Sequence, residues 1–429
     1  MTDFASIKYG EKEWIYPIIE GSEGERAIDI SELRSDSGLV AYDPSYSNFA
    51  VCKSAITYID GESGILRYRG IPIEELVKRP DFVEVAWLLI FGHKPEKDER
   101  ERFRKRLTKN AHLPERMRHH FEGFPATAHP MAVTSAMINA LSCFYPELFN
   151  SEWDVEFEEI SAELISKIRT IAAYAYRRSK GLPYIYPDPK LRYCANFLHM
   201  LFSMPYDQYV ADPEIEDALN LLFILHADHE QNCSTSTVRI VGSSQANLFA
   251  SCAAGVCALW GRLHGGANVA VMEMLQQIHD GELTVKQYIE KAKQKDSGCK
   301  LMGFGHRIYK NYDPRARILK ASCHRVLQKL QISDPLLDIA LQLEEAALED
   351  PYFTERKLYP NVDFYSGIIF RAIGIPTDMF TVMFVIGRLP GWIAHWHEQR
   401  EDPTLRIARP RQIYTGPTPT SGQNCAEKI

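Results

Sequence analysis

A handful of short stretches in this sequence set ionisable side chains beside glycines or at helix starts. His226-Ala227-Asp228-His229-Glu230 places two imidazoles three residues apart. His264-Gly265-Gly266 and Gly303-Phe304-Gly305-His306-Arg307 each join a His to glycines, which let backbone approach a ligand closely. Asp313-Pro314-Arg315 reads as a capped helix start with a proline at its first position. A helix N-terminus favours anions, and Arg315 would add a bidentate fork for a carboxylate. Asp363 also falls at a helix start, where the dipole would keep it ionised, as a general base requires. Arg388 follows the apolar run Phe380 to Ile386. An unpaired guanidinium there is costly, so an anionic partner is expected, from the protein or from a substrate.

Each signal also has a plainer reading. His226 and His229 fit neither zinc-protease pattern, so a satisfied core histidine is preferred to a metal ligand. His395 and His397, two apart, diverge on a helix. The glycine loops match neither a Rossmann nor a Walker phosphate loop and could be simple turns. Arg315 could be a solvated surface residue and Asp363 a simple N-terminal charge. Arg409 and Arg411, flanking Pro410, could be tail charge.

The elements that would hold these residues fall into two regimes. The first 70 residues are β-rich. One candidate hairpin turns at Tyr9-Gly10-Glu11 between Ser6 to Tyr9 and Trp14 to Ile19, and a second runs from Ile56 to Arg69. Beyond Pro72 the pattern is helical almost throughout: Ile73 to Lys78, Val83 to Phe91, Pro130 to Phe144, Val155 to Lys180, Pro213 to Gln231, Ser244 to Leu263, Arg315 to Gln331, Pro335 to Leu348 and Asp378 to Trp396. On Pro213 to Gln231, Leu222, His226 and His229 would share the apolar face. In Ser244 to Leu263, the small residues Ala253, Ala254 and Gly255 would permit close helix approach. Gly416 to Ile429 reads as a loose polar tail.

The bulk composition narrows the function classes. The chain has 429 residues, enough for more than one domain, and a net charge of −7. That charge argues against a dedicated nucleic-acid or membrane-surface binder, though a small anionic substrate needs only a local basic pocket. No apolar stretch is long enough to span a membrane, and no secretory signal is visible. The nine Cys are scattered without a CxxC, which suits a reducing, cytoplasmic setting and no metal site.

Together and in this order the motifs resemble the citrate synthase family. The stretches that carry the likeness are Leu263-His264-Gly265-Gly266-Ala267-Asn268, Gly303 to Arg307 running on to Asp313-Pro314-Arg315, and Pro360-Asn361-Val362-Asp363-Phe364-Tyr365-Ser366-Gly367. Gly387-Arg388, Gly391-Trp392-Ile393-Ala394-His395-Trp396 leading into Arg409-Pro410, and His226 to Glu230 complete them. The likeness runs from about the first hairpin to Gly416, and its β-rich start resembles the long Gram-negative bacterial type.

The resemblance implies a mainly α fold of two domains with a small β-rich N-terminal segment, 1–70. A large helical domain would comprise 71–274 and 381–429, and a small helical domain 275–380, with the site in the cleft. It implies Asp363 as the base toward acetyl-CoA, His264 as donor to the thioester oxygen and His306 at the oxaloacetate ketone. His229, Arg315 and Arg388 would hold carboxylates, with Arg409 reaching in from a neighbouring subunit. Lys310 and the backbone of Gly303, Phe304 and Gly305 would contact CoA. No cofactor is implied, since acetyl-CoA is a substrate, and the assembly would be a homo-oligomer, a dimer at least and a hexamer by family analogy.

Two rivals share these residues. A 2-methylcitrate synthase would use propionyl-CoA on the same frame, and one methyl is worth only about 1–3 kcal/mol of discrimination. A non-catalytic helical scaffold would have lost catalytic side chains, and none is missing. One departure concerns regulation. NADH-inhibited members of the long type use an Arg and a Cys where Glu163 and Tyr206 stand here, while Tyr145 and Lys167 are kept, so weak or absent NADH inhibition is expected.

Overall fold

The computed structural model describes residues 3–145, 157–294 and 297–418. The chain divides into two compact units, residues 1–53 with 408–429, and residues 54–407.

In the first unit, Phe4–Tyr9 and Lys12–Glu20 pair antiparallel from Phe4↔Pro17 to Tyr9↔Lys12, so the turn falls at Gly10-Glu11, as the sequence predicts. A short third strand, Arg26–Ile28, adds to Lys12–Glu20 and was not foreseen, because three residues carry no periodicity.

The second unit opens with the other expected hairpin, Thr57–Asp60 against Ile65–Tyr68. The Asp60 carboxylate accepts from Glu62 N and Ser63 N, both at 3.0 Å, which folds the turn on itself. Helices follow almost without interruption. Asp212, Asp313 and Asp334 each cap a helix whose first residue is proline, accepting a backbone N–H two residues on at 2.9, 3.0 and 2.9 Å.

The centre of this unit is the helix Phe380–Glu401, buried continuously from Phe380 to Trp396. It packs against Phe82–Phe91, Phe157–Ser179, Pro213–His226, Cys233–Gly242 and Leu248–Leu259. A helix apolar on all sides needs such a jacket. Trp392 and Trp396 are both among its fully or nearly fully buried residues. Each removes up to about 250 Å² from water, a gross stabilisation of about 5 kcal/mol.

Two expected helices are shorter than read. Pro213 to Gln231 ends at His226, so His229 lies beyond the helix in a turn where Glu230 has φ 49°, and it does not share the helical face. Ser244 to Leu263 contracts to Leu248–Leu259, because the Asn247 side chain caps it by accepting from Ala250 N at 2.9 Å. The small-residue helix does make close contacts with its neighbours Cys233–Gly242 and Phe380–Glu401. Lys97–Lys109 was missed: only Phe103 and Leu107 of its thirteen residues are buried, too few for an apolar stripe. The expected start at Val155 and most of the tail from Gly416 lie outside the described residues. Among the described residues no helix is long and apolar enough to cross a membrane, no metal-ligand group occurs, and the described cysteines are free.

Candidate active site

Residues far apart in the sequence meet around Arg388, on the buried helix Phe380–Glu401. Arg388 is 1% exposed. Its Nε donates to the His226 carbonyl at 2.6 Å, while Nη1 is buried with no protein acceptor. No carboxylate forms an ion pair with it among the described residues, although Asp228 and Asp363 lie within electrostatic reach. Burial lowers its pKa to about 10, so it stays charged at neutral pH. Of the two expected sources of an anionic partner, the protein supplies none in direct contact.

Arg315 is buried, which removes the reading of a solvated surface residue. Its Nε and Nη2 donate to the two oxygens of Asp313 at 3.0 and 2.8 Å, a bidentate fork. Burial opposes its charge, but Asp313 outweighs burial and holds its pKa above the usual value. Asp313 Oδ2 also accepts from Val362 N at 3.2 Å, so one carboxylate joins Arg315 to the start of the helix Val362–Ile373.

Asp363 stands in the first turn of that helix. Asn361 caps it, accepting from Asp363 N at 3.0 Å. Part of Asp363 stays open, yet burial raises its carboxyl to about 6, with Arg315 opposing the rise. The dipole expected to keep it acidic is therefore overridden, and the result is a carboxylate better suited to taking a proton.

The loop carrying His306 is stitched to the same helix start. Asn361 N donates to Gly303 O at 2.9 Å, Gly305 N to Tyr359 O at 2.8 Å, and Asn361 Nδ2 to Gly305 O at 3.0 Å. Gly303 has φ 77°, and a Cβ there would fall 2.8 Å from Val271 Cγ2 and 2.9 Å from Phe364 Cδ2. Only glycine suits both the conformation and the space. Phe304 bridges to Pro360 and stacks edge-on against Phe364. Lys310 is exposed, and its backbone N–H donates to Gly61 O at 2.8 Å, docking the loop on the turn of the Thr57–Tyr68 hairpin.

Three imidazoles complete the cluster, and two have their tautomers fixed by the backbone. His306 Nδ1 accepts from Ile308 N at 3.0 Å and Tyr309 N at 3.3 Å, which places the ring proton on Nε2. His264 Nε2 accepts from Ser234 N at 3.2 Å, which places its proton on Nδ1. Burial depresses both rings to about 4, with Arg315 adding to the effect at His306 and Arg388 at His264. Both are neutral donors at pH 7. His229 lies 5.1 Å from His306 between ring centroids. Burial, then Arg315, holds it well below the usual range, and its Nε2 has no partner. His226 behaves as the core histidine expected at Nδ1, bonded to Leu222 O at 2.7 Å. Arg409 is exposed and belongs to the other unit.

Sequence reasoning missed the roles of Ser234, of Asn361 as a cap and of the buried pair Asp228–His395, whose Oδ2 and Nε2 are 3.2 Å apart. Burial raises the Asp228 carboxyl, but His395 and Arg388 together bring it below its usual value. These groups act through other residues, and spacing in the chain reveals only groups that share an element.

A cluster of neutral imidazoles, a carboxylate of raised pKa and a buried guanidinium without a carboxylate partner suits carbon-acid chemistry on an anionic substrate. Comparison with known proteins agrees. Residues 45–411 match the family described as "Citrate synthase, C-terminal domain". The chain belongs to the citrate synthase family. Citrate synthase 1 of Mycobacterium tuberculosis is 52% identical over 416 residues, covering 97% of this chain and 96% of that protein, in both strain CDC 1551 / Oshkosh and strain ATCC 25618 / H37Rv. The citrate synthase structure from Pyrobaculum aerophilum superposes with a TM-score of 0.82 at 35% identity, covering 96% of this chain and 97% of that one. That from Thermoplasma acidophilum, a ternary complex with carboxymethyl coenzyme A and oxaloacetate, gives 0.80 at 28% identity over 90% and 98%. Membership makes this chain an acyltransferase with the mainly helical citrate synthase fold and a small N-terminal β segment. These relatives give no support to the narrower Gram-negative type that the β-rich start suggested.

Proposed function

We propose that this citrate synthase joins acetyl-CoA to oxaloacetate with the residues assembled around Arg388. The observation that carries the reading is the pair of neutral imidazoles, each with one nitrogen held by a backbone N–H and the other left to donate. The Asp363 carboxylate takes a proton from the acetyl methyl group. His264 Nδ1–H donates to the thioester oxygen as the enol forms, and the methyl carbon then attacks the oxaloacetate ketone. His306 Nε2–H polarises the ketone oxygen and delivers the proton that makes it a hydroxyl. Water then cleaves the citryl thioester, giving citrate and CoA. His229, Arg315 and Arg388 hold the oxaloacetate carboxylates, and Arg409 joins them from a neighbouring subunit. Lys310 and the backbone of Gly303, Phe304 and Gly305 contact CoA. Preorganised donors are what make a weakly acidic thioester reactive to one carboxylate.

No metal or separate cofactor enters this scheme. Residues 275–380 form the small domain that closes over the cleft and controls water. The enzyme works in the cytoplasm as at least a dimer, with a hexamer of three dimers as the fuller assembly. Sedimentation showing only monomer at assay concentrations would overturn that part.

The test is release of CoA thiol with each acyl-CoA. Acetyl-CoA is expected to give a kcat/KM at least about tenfold above propionyl-CoA, in line with the worth of one methyl in a fitted pocket. A preference for propionyl-CoA would reverse the assignment, and the relatives' names do not favour that outcome.

The regulatory expectation gains support from side-chain pairing. Glu163 is 9% exposed and meets Lys167 at 3.1 Å, and Lys167 Nζ also donates to Asn110 O at 2.9 Å. Its charge is thus answered within the protein, while Tyr206 is 85% exposed. NADH should inhibit weakly or not at all when initial rate is titrated at subsaturating acetyl-CoA and low salt. Strong inhibition at micromolar NADH would refute this.

A further inference from the structure

Outside the cleft, Arg169 sits within the helix Phe157–Ser179 and is 2% exposed. Nη1 donates to Tyr193 O at 3.1 Å, Nη2 to Ser166 Oγ at 3.2 Å, and the Tyr193 ring centroid is 4.4 Å from the guanidinium carbon. Nε is buried without an acceptor, and among the described residues no carboxylate pairs with this cation. Burying a charge without its counterion is expensive. Yet this one lines a cavity of about 170 Å³.

The rest of the wall is also cationic. Arg104, Lys190 and Arg192 line it together with Asp81 and Glu216. Four cations less two carboxylates leave +2, and the carboxylates are already engaged, Asp81 by Arg104 and Glu216 by Arg192 at 2.8 Å. The helix Tyr193–Phe202 begins at this wall, and its N-cap residue, Arg192, supplies no side-chain cap. A helix start with the positive end of its dipole therefore meets a buried, unpaired arginine.

We propose that this cavity is a binding site for a phosphate group, separate from the reaction cleft. Arg169 and the start of Tyr193–Phe202 line it together with Lys190 and Arg192. Guanidinium forks and helix N-termini are the groups that best match phosphate oxygens. The size admits a phosphate group with some water but not a whole nucleotide, since pockets that enclose larger ligands run to about 300–1,000 Å³.

The experiment is calorimetric titration of the full-length enzyme with inorganic phosphate at fixed ionic strength set by sodium chloride. Saturable binding is expected, at least about tenfold weaker in Arg169→Gln, which removes a buried positive charge from the wall. Arg169 also braces Tyr193, so the exposed Lys190→Glu serves as the second variant and should weaken binding comparably while leaving turnover in phosphate-free buffer unchanged. Absence of saturable binding to the wild type overturns the proposal, as does binding undiminished in Lys190→Glu. A parallel titration in the presence of AMP separates the sources: competition assigns the site to the phosphate of a monoester, and no competition assigns it to the free ion.

Discussion

Replacing Asp363 with alanine lowers turnover by on the order of 10²–10⁴-fold while the helical fold survives. The carboxylate stands at the capped start of Val362–Ile373, joined through Asp313 to Arg315, and its pKa is raised to about 6 by burial. The sign of the pH effect follows. The base works as the carboxylate, so kcat/KM is on a plateau above pH 6 and falls about tenfold per unit below it. Stability runs the other way. A raised carboxyl favours the folded state in its protonated form, and that contribution disappears as pH climbs from about 4 through 6. Asp363→Ala therefore melts no earlier than wild type at pH 7.5. A folded variant with near-normal turnover, or a rate constant down to pH 4.5, excludes Asp363 as the base.

Arg388→Met raises the KM for oxaloacetate by roughly 10²-fold or more. Nη1 is buried and unpaired in the protein, so a substrate carboxylate would supply its missing partner. Truncating one member of a buried, hydrogen-bonded charge pair costs about 2–5 kcal/mol, and each 1.4 kcal/mol is a factor of ten. Methionine keeps much of the volume on a helix that is buried at this level, so the packing loss is small. Arg388→Lys should rescue the affinity poorly, because an ammonium cannot hold His226 O and a carboxylate in one plane. The check is a steady-state titration of oxaloacetate at saturating acetyl-CoA, where an unchanged KM would place the carboxylates elsewhere.

Much of this site was legible in the chain because its members sit at punctuated positions. Asp313-Pro314 announces a helix start, and the glycines around Phe304 announce a tight loop. Helix limits were less legible. The helix from Pro213 ends at His226, before the His229 that spacing placed on its face, where Asp228 bonds His395 through its side chain and Tyr68 through its backbone. Lys97–Lys109 hid for the opposite reason: its stability comes from caps and charge pairs, such as Arg106 with Glu159 at 2.7 Å, and not from an apolar stripe. The pKa of Asp363 could not be read at all, since local sequence reports the helix dipole but not the protein folded over it.

Turns at the ends of hairpins ordinarily absorb insertions, substitutions and grafted peptides. The Asp60–Gly64 turn cannot. A Cβ on Gly61 would lie 2.3 Å from the carbonyl oxygen of Ile308, and Gly61 O holds Lys310 N. The amides of Ile308 and Tyr309 are the ones that orient the His306 ring. One extra atom in this turn, some 245 residues upstream, is thus felt at an imidazole. A fusion or epitope inserted here would therefore disable the enzyme without unfolding it, whereas a turn with no such contact would tolerate the same insertion.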